Sequence, residues 1–444
     1  MNVSVVGCGY VGLVLANGLA SLGKNVIAVD KDADKISSLK EGELSIYEPQ
    51  LLEIHRDNLE KGNIDFTTNL KKAVEKSKVF FICVNTPSLE GGGADPSGVF
   101  RVTEDLARSF EKGKYYLVVI KSTVPVGTCR KLSDILEGMG LRKSQDFDVV
   151  SNPEFSKEGE GVKGFFLPDR IIVGCESAES REVMEVLFQD FQEQGVAVLF
   201  SSFETAELIK YASNAFLGVK ISFVNEMAGL CEKLGVDIDI LIQGMSMDSR
   251  INLQGFTPGP GYGGPCLPKD ATALLAQARS VGSVLQLVEA SERVNAMQRR
   301  VIVEKLREVF QGGLSGKCLG VLGLAFKANS DDVRNSSALE IVRELSEEGV
   351  LLQVYDPHAG KKAKSALGDL IGVTFCDGAY DAVNGSDAIL ILTEWEEFKE
   401  MDYEIRVKKL MRSPVLIDAR NILREDDMAK WGYLYRGLGR KGME

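Results

Sequence analysis

The run Pro258-Gly259-Pro260-Gly261-Tyr262-Gly263-Gly264-Pro265-Cys266-Leu267-Pro268-Lys269-Asp270 ends a glycine-rich stretch on a cysteine. Its glycines make a loop that can wrap a ligand with backbone amides, and Pro268 suits the start of a helix, where a missing N–H costs nothing. Cys266 then stands at a helix N-terminus with Lys269 nearby. Both features favour the thiolate, so this is the cysteine expected to react, while the other seven read as packing. Asp270, one helical turn on, is placed to orient a lysine or a water. Glu154 and Glu158 in Asn152–Gly159 share one face if that segment is helical, and are two solvated acids otherwise. Lys210 and Asn214 repeat the four-residue spacing inside the apolar stretch Ala206–Leu234. A lysine among Leu208, Ile209, Phe216, Leu217 and Val219 must pair, put its charge to use, or snorkel from the core edge.

A second constellation opens the chain. Gly7-Cys8-Gly9-Tyr10-Val11-Gly12 follows a strand-like Asn2–Val6 and begins a helix. Gly7 permits the tight turn, Gly9 lets backbone approach a pyrophosphate, and Gly12 lets helix and strand pack closely. Val29-Asp30 ends the next strand, where a carboxylate accepts ribose hydroxyls and repels a 2′-phosphate. NAD is therefore favoured over NADP. Lys35 can assist at the adenosine side or stand as a solvated lysine, and the bland alternative for the whole motif is a glycine-rich turn beside a surface aspartate. A nicotinamide cofactor with an activated cysteine suggests oxidation through a thiohemiacetal and a thioester, which water hydrolyses to an acid. Only His55 and His358 are available as histidines, so acid/base work falls to Lys210 and Glu154, and no metal is expected.

The elements that must position these groups alternate. Asn2–Val6, Asn25–Val29, Val79–Val84, Tyr116–Ile120, Asp148–Val150 and Ile171–Val173 read as buried strands separated by amphipathic segments. That rhythm implies a parallel sheet with helices on both faces. From Ser201 to Arg307 the strand signal vanishes: Glu204–Leu234 and Asp270–Phe310 read as long helices around the Gly/Pro-rich Asp248–Pro268. Cys318–Leu322, Leu351–Tyr355, Ala388–Leu392 and Val415–Asp418 restore the alternation after Gln311–Gly316. The reading is α/β, a doubly wound Rossmann-type part over 1–200, a helical part over 201–310, and a second Rossmann-like α/β part over 311–444. The two α/β parts are candidates for copies of one architecture, although they do not align by eye.

Composition agrees with a soluble globular protein. The 444 residues carry 52 Lys+Arg and 64 Asp+Glu, a net charge of −12, with 44% hydrophobic and 26% charged residues. Such an acidic chain offers no general electrostatic footprint for nucleic acid or an anionic membrane. The eight cysteines form no C-x-x-C pair, which fits a reducing cytoplasm. The N-terminus has no signal-peptide pattern and no apolar run reaches bilayer length, so a cytoplasmic protein is expected.

These motifs together resemble the UDP-glucose/GDP-mannose dehydrogenase family nearly end to end. The resemblance rests on Gly7–Gly12 with Asp30, Ser122–Thr128, Asn152–Gly159, Pro168-Asp169-Arg170, Ala206–Glu226, Pro258–Asp270 and Gly323–Ser336. It implies two NAD-dependent oxidations of a sugar nucleotide's primary alcohol to the uronic acid. Cys266 would be the nucleophile and Glu154 would assist hydrolysis. Lys210 would stabilise oxyanion charge, supported by Asn214 and by a water held by Asp270 and touched by Thr123. The implied cofactor contacts are Gly7, Gly9, Tyr10, Val11, Gly12, Asp30, Lys35, Thr86, Thr123, Glu158, Lys269 and Arg334. The implied substrate contacts are Glu154, Phe155, Ser156, Lys157, Glu158, Lys210, Asn214, Gly255, Phe256, Thr257, Pro258, Gly259, Gly263 and Lys327. Arg250 would reach a neighbouring subunit's substrate in a homodimer or higher homo-oligomer. The long apolar helix, which needs more cover than one segment supplies, points the same way.

Pro265 stands where relatives commonly have serine, and Ser156-Lys157 replaces a more usual Leu-Arg; both departures bear on rate and sugar preference. The Pro258–Tyr262 run favours UDP-glucose over GDP-mannose as substrate. A two-electron β-hydroxyacid dehydrogenase would account for Lys210 and Asn214 but needs neither Cys266 nor the third part. A sensor that binds without turnover would not need the reacting groups at all.

Overall fold

The computed structural model describes residues 1–253 and 255–440. The chain divides into two compact units, one formed by Met1–Ser213 with Thr272–Gly282, the other by Asn214–Ala271 with Ser283–Glu444.

In the first unit, β1 (Asn2–Val6), β2 (Asn25–Val29), β3 (Ile64–Thr67), β4 (Val79–Ile82), β5 (Tyr116–Ile120), β6 (Phe147–Ser151), β7 (Arg170–Gly174) and β8 (Ala197–Ser201) form one sheet among the described residues. Its order is β3-β2-β1-β4-β5-β6-β7-β8. The central strands β4 and β5 are apolar throughout because both faces are covered, and successive side chains feed opposite cores. Phe81, Leu117 and Val119 join the cluster around Leu13 and Leu19. Phe80, Val118 and Ile120 join the cluster around Leu132 and Leu136. The expected parallel arrangement holds from β3 to β6. It reverses where β7 meets β6 antiparallel, with β7 and β8 parallel to each other.

The second unit carries β9 (Cys318–Leu322), β10 (Leu351–Tyr355), β11 (Val373–Phe375), β12 (Ala388–Ile391), β13 (Val415–Asp418) and β14 (Leu434–Arg436). All its pairings are parallel, in the order β11-β10-β9-β12-β13-β14. This is the doubly wound order of the first six strands of the first sheet, so the two α/β parts share one architecture. The strands absent from the sequence reading, β3, β8, β11 and β14, are the sheet edges. β3, β11 and β14 are short and carry polar residues, so they lack the apolar runs that mark the interior, whereas β8 carries such a run, Ala197-Val198-Leu199-Phe200, that the sequence reading missed.

The helix Phe203–Leu234 matches expectation within a residue. The expected single helix Asp270–Phe310 is instead two, Leu267–Ser280 and Gln286–Val309. Gly282, at φ +74°, ends the first of them in the left-handed conformation that suits a glycine. That helix also begins at Leu267, one residue before Pro268. No helix among the described residues is long and apolar enough to cross a membrane.

Candidate active site

The nucleotide edge lies in the first unit. Gly7 has φ +103°, and its N–H donates to the Val29 carbonyl at 2.8 Å. A Cβ on Gly12 would lie 1.8 Å from the Gly7 oxygen, so only glycine lets the helix Tyr10–Ser21 pack here. A Cβ on Gly9 would meet nothing within 4 Å. Protein packing therefore does not demand that glycine, and the space beside it is open. Tyr10 and Val11 open the helix, whose first turn carries no acid to oppose an anion.

Asp30 accepts from the Cys8 N–H at 2.8 Å, the Asp32 N–H at 3.1 Å and Lys35 Nζ at 3.2 Å. Burial alone would raise its carboxyl; these three donors outweigh it and hold the group below the usual carboxylate range. Lys35 thus orients Asp30. Across the sheet top, Thr86 is buried and its hydroxyl donates to the Thr123 carbonyl at 2.8 Å, tying the loops after β4 and β5.

Glu154 follows β6 in a segment that is neither helix nor strand and turns at Glu158, so the shared helical face with Glu158 does not form. Its Oε1 accepts from the N–H groups of Phe155 and Ser156 at 2.8 and 2.6 Å. Its Oε2 lies 3.3 Å from Lys121 Nζ. Burial would push the carboxyl up, but the Lys121 ammonium, the Ser156 N–H and the Lys210 charge hold it down to about 2. Lys210 is buried, with its ammonium 5.2 Å from the Phe155 ring centre, and Arg170 lies 4.2 Å from that centre. Lys210 therefore carries its charge into the group around Glu154. Glu154, Phe155, Ser156 and Lys157 line a cavity of about 260 Å³. Glu158 is half-buried beside Gly159, whose N–H, with that of Gly161, donates to the buried Glu48 carboxylate at 2.8 and 2.7 Å.

The cysteine loop belongs to the second unit. Gly264 has φ +86°, its N–H donates to the Arg334 carbonyl at 3.0 Å, and its carbonyl accepts from Asn335 Nδ2 at 3.2 Å. A Cβ on Gly263 would lie 2.2 Å from the Asn335 oxygen. Gly259 N–H donates to Asn225 at 2.9 Å, and Tyr262 exchanges two hydrogen bonds with Asn295. The loop is therefore braced before it delivers Cys266 to the start of the helix Leu267–Ser280. Cys266 is the one exposed cysteine among the described residues. Burial pushes the thiols of the other seven up, Cys8 to about 12. Asp270 is fully buried and accepts from Asn214 Nδ2 and Lys269 Nζ, each at 2.6 Å, so it orients an amide and a lysine.

The remaining expected contacts are scattered over this unit. Arg334 pairs with Asp332, and Lys327 is half-buried on the same segment after β9. Arg250 is held by Asp248 at 2.6 Å with its side chain 87% exposed. Gly255 and Thr257 are exposed, Pro258 is buried, and Lys220 lies over the Phe256 ring at 5.1 Å.

Several residues escaped the sequence reading because their partners are remote in the chain. Lys121 and Asn152 support Glu154, with Lys121 Nζ also 3.3 Å from Asn152 Oδ1. Glu207, one turn before Lys210, accepts from the N–H groups of Gly127 and Cys129 at 2.6 and 2.8 Å. A buried acid in an apolar helix was the available signal. Arg420, which approaches Gly259, carried none.

Comparison with known proteins identifies the family. Three sequence models match: the UDP-glucose/GDP-mannose dehydrogenase family's NAD binding domain over residues 1–192, its central domain over 204–297 and its UDP binding domain over 320–425. The chain is 40% identical to UDP-glucose 6-dehydrogenase of Rhizobium meliloti, over 99% of this chain and all of that one. It is 40% identical to UDP-glucose 6-dehydrogenase TuaD of Bacillus subtilis, covering 99% and 93%. Among solved structures, a UDP-glucose dehydrogenase from Pyrobaculum islandicum superimposes with a TM-score of 0.90 at 36% identity, covering 99% and 98% of the two chains.

Proposed function

Because the chain belongs to the UDP-glucose/GDP-mannose dehydrogenase family, we propose that it oxidises UDP-glucose to UDP-glucuronate in two NAD-dependent steps. The observation that carries the covalent route is the exposure of Cys266 at a helix start, against four buried and three half-buried cysteines. NAD supplies the hydride acceptor for both oxidations. Gly7, Gly9 and Gly12 admit its pyrophosphate, Asp30 takes the ribose hydroxyls, and Tyr10, Val11, Lys35, Thr86, Thr123, Glu158, Lys269 and Arg334 complete its contacts.

The Cys266 sulfur bonds to the aldehyde carbon from the first oxidation, and the carbonyl oxygen takes a proton. Lys210 and Asn214 donate to that oxygen as it gains charge, and Asp270 fixes the Asn214 amide that does so. After the second oxidation the carbon is a thioester. Water attacks it, Glu154 takes a water proton, and the carbon–sulfur bond breaks to release the acid. The sugar nucleotide contacts Glu154–Glu158, Lys210, Asn214, Gly255–Gly259, Gly263 and Lys327. Functionally the chain is three parts: 1–200 for NAD, 201–310 for the cysteine loop and dimerisation, and 311–444 for the nucleotide sugar. It assembles as a homodimer or larger homo-oligomer. The exposed Phe216, Phe223, Leu230 and Leu234 of the long helix support this, and Arg250 serves the partner's substrate. The free thiols suit the cytoplasm.

Intact-mass spectrometry tests the route. Glu154→Gln mixed with UDP-glucose and NAD should accumulate a sugar-nucleotide acyl adduct at Cys266, while wild type forms two NADH per UDP-glucose. One NADH per substrate would overturn it in favour of a two-electron dehydrogenase, and near-normal acid formation by Cys266→Ala would overturn the covalent route.

A further inference from the structure

Glu154 is a single carboxylate whose two oxygens do different work. Oε1 is spent on the N–H groups of its own loop, Phe155 and Ser156. Oε2 faces Lys121 Nζ at 3.3 Å. Lys121 leaves the end of β5, where its N–H donates to the Ile82 carbonyl at 3.0 Å, so its root is fixed by the sheet. Its ammonium is shared with Asn152 Oδ1, and Asn152 is itself anchored through Nδ2 to the Ile172 carbonyl at 2.7 Å. The Lys121 side chain is 11% exposed, so this pair is little screened.

We propose that Lys121 is a positioning residue for hydrolysis, holding Glu154 ionised and aiming its Oε2. The inference rests on the role given to Glu154 above. In that step the water oxygen bonds to the acyl carbon and the carbon–sulfur bond breaks, its electron pair returning to the Cys266 sulfur. One water proton passes to Glu154, and the other leaves as the new acid ionises. A carboxyl that protonated or rotated would lose that reaction, and the Lys121 ammonium opposes both. The other charge on Glu154 is Lys210 from the long helix; the Cys83 thiol after β4 also faces it but is raised and therefore neutral. Along the cavity the acids Glu160 and Asp169 are offset by Lys157, Lys163 and Arg170. Lys121 is the cation in direct contact.

The test uses Lys121→Met and the polar isostere Lys121→Gln in the full-length enzyme. An opposite charge at this range lowers a carboxyl by about one to three pH units. The acid limb of kcat should therefore rise by about that much in both variants. Misaiming the base should lower kcat at neutral pH by about 10- to 100-fold and accumulate the Cys266 thioester, with KM for UDP-glucose little changed. Lys121→Arg should restore the acid limb. Infrared titration of the ligand-free protein, with Glu154→Gln as the difference reference, should show the same rise without any turnover. An unmoved Glu154 titration, or variants without thioester while Glu154→Gln accumulates it, would overturn the role of Lys121 alone. Absence of thioester in Glu154→Gln would instead overturn the reading on which it rests.

Discussion

β1 and β9 occupy the same place in their two sheets, and each leads into a glycine of positive φ, +103° at Gly7 and +98° at Gly323. Each glycine N–H donates at 2.8 Å to the last residue of the neighbouring strand, Val29 or Tyr355. Each neighbouring strand is followed by an aspartate, Asp30 or Asp356, that accepts from the residue after the glycine, Cys8 or Leu324, again at 2.8 Å. There the likeness ends. At the first edge a helix starts at Tyr10; at the second the next helix waits until Ser337. The intervening segment folds over the sheet top and braces the cysteine loop through Arg334 and Asn335. Position for position, Gly9 corresponds to Ala325, whose methyl is buried. The first edge is left open at Gly9, whereas the equivalent position at the second is filled by the buried methyl of Ala325. The aspartate accepts three donors at the first edge and five at the second.

The same substitution at the two aspartates should separate the two edges, and it carries the largest expected effect. Asp356 is buried and accepts five N–H donors, from Leu324, Ala325, His358, Ala359 and the Trp395 indole. Asp356→Ala strands them and should cost about 3–5 kcal/mol of stability, read by urea unfolding. Asp30→Ala should cost less stability and instead erode the preference for NAD over NADP, by about 1.5–3 kcal/mol in relative kcat/KM. If Asp356→Ala left stability intact, the contrast between the two edges would be wrong.

Next in size is Gly9→Val. The space around Gly9 is open, so the ligand-free protein should melt at its wild-type temperature. NAD affinity should fall by about 1–3 kcal/mol, because the side chain takes the volume a pyrophosphate needs. Isothermal titration decides this. Unchanged NAD affinity would mean that the phosphates do not pass over Gly9.

The contrast also explains what could be read from residues alone. The first edge was legible because Gly7, Gly9, Gly12 and Asp30 sit within two adjoining elements, each placed by local geometry. Cys266 was legible because the glycines and the helix start surround it in the chain. The second edge was not, since Ala325 and the long return to Ser337 erase the glycine pattern that marks an open crevice. Glu154 was visible as an acid, but its partner Lys121 comes from another strand, and Glu48, which fastens Gly159 and Gly161, comes from farther still. The edge strands β3, β11 and β14 escaped because they are short and carry polar residues, and the break at Gly282 because two good helical patterns abut there.

The smallest expected effect concerns Lys35, and it decides whether that lysine serves the cofactor or the aspartate. Its ammonium lies 3.2 Å from Asp30 at a partly exposed pair, an arrangement worth about 0.2–1 kcal/mol. Lys35→Met should therefore weaken NAD binding by no more than about fivefold. Asp30 ionises below its usual range, so the stability it lends is present above the unfolded value of about 3.9 and is lost as pH falls through the lower folded value. Wild-type NAD affinity should accordingly stay flat in this group from pH 5 to 8. Lys35→Met removes one of three donors and leaves the N–H groups of Cys8 and Asp32, so its affinity should begin to fall only toward the acid end of that range. Lys361 stands at the same offset from Asp356 and is exposed, while the amide of Ala359 takes the carboxylate oxygen there. Lys361→Met should thus change stability by less than about 0.5 kcal/mol. A loss of NAD affinity beyond tenfold in Lys35→Met would assign that lysine to the adenosine itself, and the first edge would then differ from the second by two ligand groups instead of one.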